Sequence, residues 1–211
     1  MGESTRREGM NNKNKLELDS PLLIVMMGLP GAGKTFFARQ LANSLNFGYI
    51  SEDRIRHDVF ADPKFNQDEQ TVIRKIMGYM IEELSRVKRH IILDGRFLNA
   101  NERQKIHQAM KAADYKSLTV WVQTEEELAR KRSSRRDKRK PDDKYNNPVS
   151  KVEFNSSKDK LEKPQEKENF SVISGKHAFR SQSDTVLKRI SKLYRDAAAE
   201  KARKAKLKSQ I

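Results

Sequence analysis

A short glycine-rich segment is the strongest chemical signal in the sequence. It reads GLPGAGKT over residues 28–35 and fits the pattern G-x-x-x-x-G-K-[ST]. Its glycines allow backbone N–H groups to turn toward phosphate oxygens, and the following helix points its positive end at them. We predict that the segment binds the phosphates of ATP, with catalytic Lys34 reaching the β- and γ-phosphates and the Thr35 hydroxyl binding Mg²⁺. The predicted nucleotide-binding residues are Gly28, Leu29, Pro30, Gly31, Ala32, Gly33, Lys34, Thr35 and Phe36.

Two aspartates follow the next two apolar runs of the chain. Asp53 lies just after the second predicted strand and Asp94 at the end of the third. Phosphoryl transfer to an alcohol needs a carboxylate near the attacking hydroxyl and a second one near the metal or the acceptor. Acidic residues are also common in ordinary loops and at helix N-caps, so either aspartate taken alone is weak support for a catalytic site. Their joint placement predicts that Asp53 is catalytic and that Asp94 binds the metal or the acceptor.

A basic run lies after the fourth predicted strand. Residues 130–140 read RKRSSRRDKRK, and Arg132 and Arg136 are four residues apart on a predicted helix. They could close on the triphosphate and stabilise negative charge in the transition state. A solvated helix face, a non-specific nucleic-acid patch or a localisation patch would have the same composition. The position in the chain favours a lid over residues 125–140, with Arg132 catalytic and Arg136 binding substrate.

The elements that must position these residues alternate between strands and helices. Apolar runs predict strands, and residues at helical spacing, some of them preceded by capping residues, predict the helices between them. Capping pairs are predicted at Asn66 with Glu69 and at Thr124 with Glu127. This alternation indicates an α/β fold of the P-loop NTPase type, a three-layer, doubly wound parallel sheet of about five strands with a helical lid. The predicted strands are 21–27, 47–51, 90–94, 117–123 and 170–174, and the main helices are 34–46, 66–88, 101–112 and 184–208.

A chain of 211 residues is long enough for one α/β domain with tails. We expect a disordered leader over residues 1–20, a kinase-like domain over 21–195 and a basic C-terminal helix or tail over 196–211. Residues 137–169 contain few apolar side chains, and we expect a mobile polar segment rather than a strand there.

The net charge of +15 restricts the partners without identifying them. Residues 121–211 hold 25 of the 44 Lys and Arg but only 14 of the 29 Asp and Glu. Such a field favours polyanionic partners, whether nucleotide, nucleic acid or an anionic surface, although a solvated basic surface is at least as good an interpretation. The sequence has no cysteine and no apolar run long enough to span a membrane, and we expect a cytoplasmic protein without a membrane partner.

Four segments together resemble the small P-loop kinase family that includes polynucleotide 5′-hydroxyl kinases and zeta-toxin-like kinases. They are GLPGAGKT, ISEDRIR, ILDGRFLNANERQK and ELARKRSSRR, which cover about residues 21–140. The resemblance implies that Asp53 is the general base, that Arg56 helps to hold the acceptor and that Arg132 belongs to the lid. It matches Asp94 to the family's strand-three aspartate. The sequence differs at Gly95-Arg96-Phe97, where polynucleotide kinases tend to carry Thr-Asn, so the resemblance does not assign the acceptor.

These patterns predict a kinase that transfers the γ-phosphate of ATP to an acceptor hydroxyl. The acceptor is either a small molecule or a polynucleotide 5′ end. A rival hypothesis from another class is an ATPase switch, an ATP-dependent binding module in which nucleotide orders the lid and the basic tail for a partner.

Overall fold

The computed structural model describes residues 18–165 and 167–208. The strands are β1 (Leu22–Met27), β2 (Gly48–Ser51), β3 (Ile91–Asp94), β4 (Lys116–Gln123) and β5 (Phe170–Ser174). They form one parallel sheet in the order β2-β3-β1-β4-β5. The helices are α1 (Lys34–Leu45), α2 (Glu52–Val59), α3 (Gln67–Arg86), α4 (Ala100–Ala112), α5 (Glu126–Ser134), α6 (Lys151–Asp159) and α7 (Phe179–Lys208).

The central strand β1 has the continuous apolar sequence that is typical of a parallel sheet covered by helices on both faces. All six of its residues are buried, as the continuous apolar run predicts. It pairs with β3 on one side and with β4 on the other, and connecting helices cross between consecutive parallel strands. The predicted α/β fold with a parallel sheet of about five strands is confirmed.

Two apolar layers hold the helices against the sheet. Alternate residues of each strand point to opposite faces, so β1 contributes Leu22, Ile24 and Met26 to one layer and Leu23 and Val25 to the other. Helices α1 and α7 cover the first face, and α3 and α4 cover the second. The carboxyl ends of the strands are consequently left at one edge, where the loops gather.

Helix capping agrees with the sequence at α3 and differs at α5. The Asn66 side chain accepts a hydrogen bond from the Glu69 backbone N–H at 2.9 Å, which confirms the first half of that capping pair. The Glu69 carboxylate instead accepts from the backbone N–H groups of Lys64 and Phe65. The capping pair predicted at Thr124 is wrong, because the Thr124 hydroxyl donates to the Ala32 carbonyl at 3.0 Å and α5 has no side-chain cap.

The polar segment over residues 137–169 contains a helix, α6, and its described residues, 137–165 and 167–169, form no strand. Its Ser150 and Glu153 form a complete capping box, and Phe154 is fully buried. Few apolar residues suffice here because a single aromatic ring anchors the helix beneath α5 and the glycine-rich loop. The predicted mobility of the segment stays a prediction.

The ends of the chain are described only in part. Residues 1–17 of the predicted leader and residues 209–211 of the predicted tail lie outside the described residues. Helix α7 begins at Phe179, earlier than predicted, and continues to Lys208. Within residues 18–165 and 167–208, no helix is both long and apolar enough to cross a membrane.

Candidate functional site

The glycine-rich loop joins β1 to α1 and is fixed by close backbone contacts. Gly28, Gly31 and Gly33 all have positive φ angles, of 142°, 78° and 103°. A Cβ atom on Gly31 would lie 2.0 Å from the Ala129 carbonyl oxygen of α5, and one on Gly28 would lie 2.4 Å from the Val122 oxygen of β4. The glycines therefore provide both the backbone conformation and the space that the loop needs.

Lys34 is the first residue of α1, and its side chain reaches back to the loop backbone. Its ammonium group donates hydrogen bonds to the carbonyl oxygens of Gly28 at 2.9 Å and Leu29 at 3.0 Å. Removal from water lowers the pKa of Lys34 to about 8, although Asp94 nearby acts in the opposite direction. The lysine has no carboxylate ion pair in the described residues, so its charge is available to a phosphate group.

Asp94 and Asp53 lie at the carboxyl ends of neighbouring strands. β2 pairs with β3 so that Ser51 is opposite Asp94, and α2 begins immediately after Ser51. The Asp94 carboxylate accepts a hydrogen bond from the Tyr49 hydroxyl at 2.7 Å, and the Thr35 hydroxyl lies close enough to favour its ionised form. Burial raises the pKa of Asp94 despite these donors. The strand register therefore brings Asp94 beside Thr35, the threonine that the sequence predicts to bind Mg²⁺.

Asp53 is a second carboxylate whose ionisation the fold disfavours. Burial, followed by the neighbouring Glu52 carboxylate, raises the pKa of Asp53 to about 6, and Arg96 and Lys34 oppose this rise. A carboxylate with a pKa near 6 is a better proton acceptor than an exposed aspartate and is still ionised at neutral pH. These are the properties that a general base needs.

A cavity of about 430 Å³ brings most of the predicted site residues together. Its walls come from the glycine-rich loop, the ends of β2 and β3, α5 and the chain that follows α5. Gly28, Leu29 and Ala32 do not line it; Leu29 packs against the Ala129, Val149 and Phe154 cluster, and Ala32 is buried. The predicted residues that do line the cavity are Pro30, Gly31, Gly33, Lys34, Thr35, Phe36, Asp53, Asp94, Arg132 and Arg136.

The two arginines of the predicted lid reach the cavity from different elements. Helix α5 ends at Ser134, so the prediction that Arg132 and Arg136 share one helix face is wrong. Arg132 donates to the Gly175 carbonyl oxygen at 3.0 Å, across the end of β5, and Arg136 donates to the Asp143 carboxylate at 2.7 Å. Both guanidinium groups nevertheless lie beside the glycine-rich loop.

Arg56 is the predicted substrate-binding residue that the structure does not bring to the cavity. It is 2% exposed, and its guanidinium group donates to Glu69 at 3.1 Å and to Glu52 at 3.5 Å. A third bond reaches the Gln70 side chain. We therefore correct its assignment: Arg56 holds α2 against α3, because two buried carboxylates need its charge.

The cavity also contains residues that the sequence did not single out. Arg96 follows Asp94 on the β3 side, and its only sequence signal was the difference from the Thr-Asn of polynucleotide kinases. Gly95, Gly175, His177 and Gln182 also line the cavity. Most of the remaining residues come from residues 135–149, here called the strap, whose Asp142 pairs with Arg39 of α1 at 2.7 Å. The strap residues in the cavity wall are Arg135, Arg136, Lys140, Asp142, Asp143, Asn146, Asn147 and Val149.

The donor set of the site suits a metal that is held largely by phosphate. Within the described part of the chain, no group of three or more His, Cys, Asp or Glu side chains comes together to hold a metal ion. Mg²⁺ in nucleotide sites typically takes one or two protein oxygens together with phosphate oxygens and water. The adjacent hydroxyl of Thr35 and carboxylate of Asp94 fit that need.

Solved structures with the same fold include several kinases. A gluconokinase from Sinorhizobium meliloti 1021 has 13% identity and a TM-score of 0.61, with 85% of this chain and 97% of that chain covered. The Mycobacterium tuberculosis APS kinase CysC with AMPPNP and APS has 14% identity and a TM-score of 0.59, over 82% and 98%. Chaetomium thermophilum Kti12 with ADP-AlF3 has 21% identity and a TM-score of 0.58, over 80% and 98%. At such identities the likeness shows the fold.

Sequence comparison gives the family. No curated protein matches the sequence. A family model described as an AAA domain matches residues 23–164, which contain the glycine-rich loop, both aspartates and the lid arginines. The chain therefore belongs to this AAA-domain family of nucleotide-binding P-loop proteins and has a P-loop kinase-like fold.

Proposed function

We propose that this protein is an ATP-dependent kinase that transfers the γ-phosphate of ATP to the hydroxyl group of an acceptor. One observation carries the proposal: Asp53, with its raised pKa, opens into the same cavity as Lys34 and the glycine-rich loop. A site that only bound nucleotide would gain nothing from a buried carboxylate on the acceptor side of the phosphates, because its negative charge repels them. A kinase needs that carboxylate as a base.

The donor half of the site binds the triphosphate. The backbone N–H groups of the loop and the start of α1 bind phosphate oxygens, and the Lys34 ammonium group pairs with the β- and γ-phosphates. Thr35 and Asp94 would hold Mg²⁺. When it is bound, Mg²⁺ neutralises charge on the phosphates and makes the phosphorus more electrophilic.

The acceptor half supplies the base. Asp53 takes the proton from the acceptor hydroxyl while the oxygen of that hydroxyl forms a bond to the γ-phosphorus. The bond between the γ-phosphorus and the bridging oxygen breaks, and its electron pair leaves with ADP. Arg132 stabilises the transferring group, and Arg136 can do the same after exchanging Asp143 for phosphate. The proton on Asp53 is released to water after the product leaves.

Following the label from γ-labelled ATP tests the proposal. The protein is incubated with a pooled set of metabolites, oligonucleotides and tRNA, and the labelled products are separated from ATP and inorganic phosphate. The kinase predicts label in one acceptor, with Mg²⁺ required. Slow release of labelled phosphate that no acceptor stimulates would instead favour the ATPase switch.

A further inference from the structure

We propose that Arg96 selects the acceptor by binding an anionic group on it, so that the substrate is a small hydroxy compound that also carries a phosphate or a carboxylate. This inference rests on the proposed kinase function and adds the chemical class of the acceptor. Its basis is the placement of one guanidinium group without an ion pair beside the proposed base.

The backbone of Arg96 is held rigidly at the end of β3. Its N–H donates to the Glu52 carboxylate at 3.1 Å, and Glu52 is only 2% exposed. A Cβ atom on Gly95 would lie 2.5 Å from the same carboxylate, so the loop packs directly against it. Glu52 is fixed in turn by ion pairs to Arg56 and Arg74. The start of the Arg96 side chain is therefore fixed relative to Asp53, the residue after Glu52.

The Arg96 guanidinium group is half-buried, lines the cavity and makes no hydrogen bond or ion pair with the described residues. It lies 6.0 Å from the centre of the Phe65 ring, and its charge lowers the pKa of the nearby carboxyl groups of Glu52 and Glu153. The other two arginines that we assign to the phosphates already have partners, Arg132 with Gly175 and Arg136 with Asp143. A planar group with several N–H donors is well suited to carboxylate or phosphate oxygens.

The position of Arg96, rather than a lack of other cations, assigns it to the acceptor, because Arg135 and Lys140 also line the cavity. The MgATP complex carries about two negative charges, and Lys34 and Arg132 lie where its phosphates bind. Arg96 lies near both Lys34 and Asp53, since its charge lowers the pKa of Lys34 and counteracts the rise in the pKa of Asp53. The acceptor hydroxyl must approach Asp53, so an anionic group on the same molecule would lie within reach of Arg96.

The strap favours a small acceptor over a polymer. One part of it is tied to α1 by the Arg39–Asp142 ion pair, and its Tyr145 ring lies 6.2 Å from the His57 ring of α2. It thus crosses from the donor side to the acceptor side of a cavity of about 430 Å³, which must also hold the γ-phosphate. That volume is at the lower end of small-ligand pockets, so a polynucleotide would have to displace the strap.

Titration of simple anions into the nucleotide-loaded protein tests the proposal without requiring phosphoryl transfer. The protein is saturated with Mg²⁺ and AMPPNP, which fills the donor half, and is then titrated with inorganic phosphate or with acetate. The two anions distinguish a phosphate-bearing from a carboxylate-bearing acceptor. Paired neutral and anionic compounds follow, such as glycerol with glycerol 3-phosphate and glucose with gluconate, together with a 5′-hydroxyl oligonucleotide.

The variants are Arg96→Met, Arg96→Lys and the control Arg195→Met, which removes one exposed positive charge from α7. We expect one of the anions to bind the wild-type complex, with affinity lowered about 10- to 100-fold in Arg96→Met and partly kept in Arg96→Lys. AMPPNP affinity should be unchanged in all three variants, which also confirms that they fold. Arg195→Met should bind the anion like the wild type.

Three results would overturn the proposal. They are absence of anion binding to the AMPPNP complex, equal binding by Arg96→Met and the wild type, and binding of the oligonucleotide alone. A failure of the kinase function itself would look different, since label would not leave ATP for any acceptor even though the anion site was intact.

Discussion

Replacing Asp53 with asparagine should make the protein more stable while it removes activity. Burial and the Glu52 carboxylate raise the pKa of Asp53 from 3.8 to about 6. Above pH 6 the folded protein therefore holds an ionised carboxylate where the surroundings disfavour it. The asparagine amide has nearly the same shape and no charge, so the variant is free of this unfavourable term.

The size of the gain follows from the pKa difference. One pKa unit corresponds to about 1.4 kcal/mol, so a rise of about two units sets an upper limit of about 3 kcal/mol. Water and salt in the open cavity reduce this, and we expect the free energy of unfolding to increase by about 1 to 2 kcal/mol at pH 8. Because the folded state binds the proton more tightly than the unfolded state, wild-type stability falls relative to the variant as pH rises from 4 to 6.

Urea denaturation of both proteins between pH 4.5 and pH 8, without nucleotide or metal, measures this difference. Asp58→Asn is the control, since Asp58 is exposed on the same helix, and its effect should stay within about 0.5 kcal/mol. The reasoning would be refuted if Asp53→Asn were no more stable than the wild type at pH 8, or if the difference did not shrink toward pH 4.5.

Three further predictions concern the loop and the core. Lys34→Ala should weaken nucleotide binding at least about tenfold. The nucleotide affinity of the wild type should fall above pH 8, where Lys34 loses its proton, and that of Lys34→Ala should not. Calorimetry that shows the same pH dependence for the wild type and the variant would contradict this. Gly31→Ala should abolish nucleotide binding, because the new Cβ atom would clash with the backbone of Ala129. In the control Gly78→Ala, the new Cβ atom has no neighbour within 4 Å, and thermal melts should show a stabilisation of about 0.5 to 1 kcal/mol, because alanine favours the helix α3. Arg103→Met should lower the free energy of unfolding by about 3 to 5 kcal/mol, because the fully buried guanidinium group pairs with Glu168 and donates to three carbonyl oxygens. A loss below about 1 kcal/mol in urea denaturation would be contrary evidence.

The sequence predicted those features that depend on local pattern. The run Leu22–Met27, the glycine pattern and the helical spacing after Lys34 are short-range signals, and they fix a strand, a loop and a helix in that order. Parallel pairing then places the ends of neighbouring strands together, which is why Asp53 and Asp94 could both be predicted near Lys34.

Features that depend on long-range contacts could not be predicted in this way. The sequence shows Arg56 three residues after Asp53, but its burial depends on Glu69, which the fold brings from α3. The Thr124 hydroxyl is equally suited to cap α5 or to bind Ala32, and only the packing of the glycine-rich loop decides between them. The predicted lid reached residue 140 and included Arg136, but the rest of the strap was missed, because its residues are polar and follow no period and nothing local indicated that they line a cavity.

The most direct test of the central claim is a comparison of Asp53→Asn with the wild type in two assays, label transfer from γ-labelled ATP to the acceptor and binding of Mg·AMPPNP. If Asp53 is the base of a kinase, transfer should fall by about 10² to 10⁴, while nucleotide affinity should stay within about threefold because the donor half is untouched. Transfer at the wild-type rate, or a loss of nucleotide binding that accounts for the lost activity, would contradict the account.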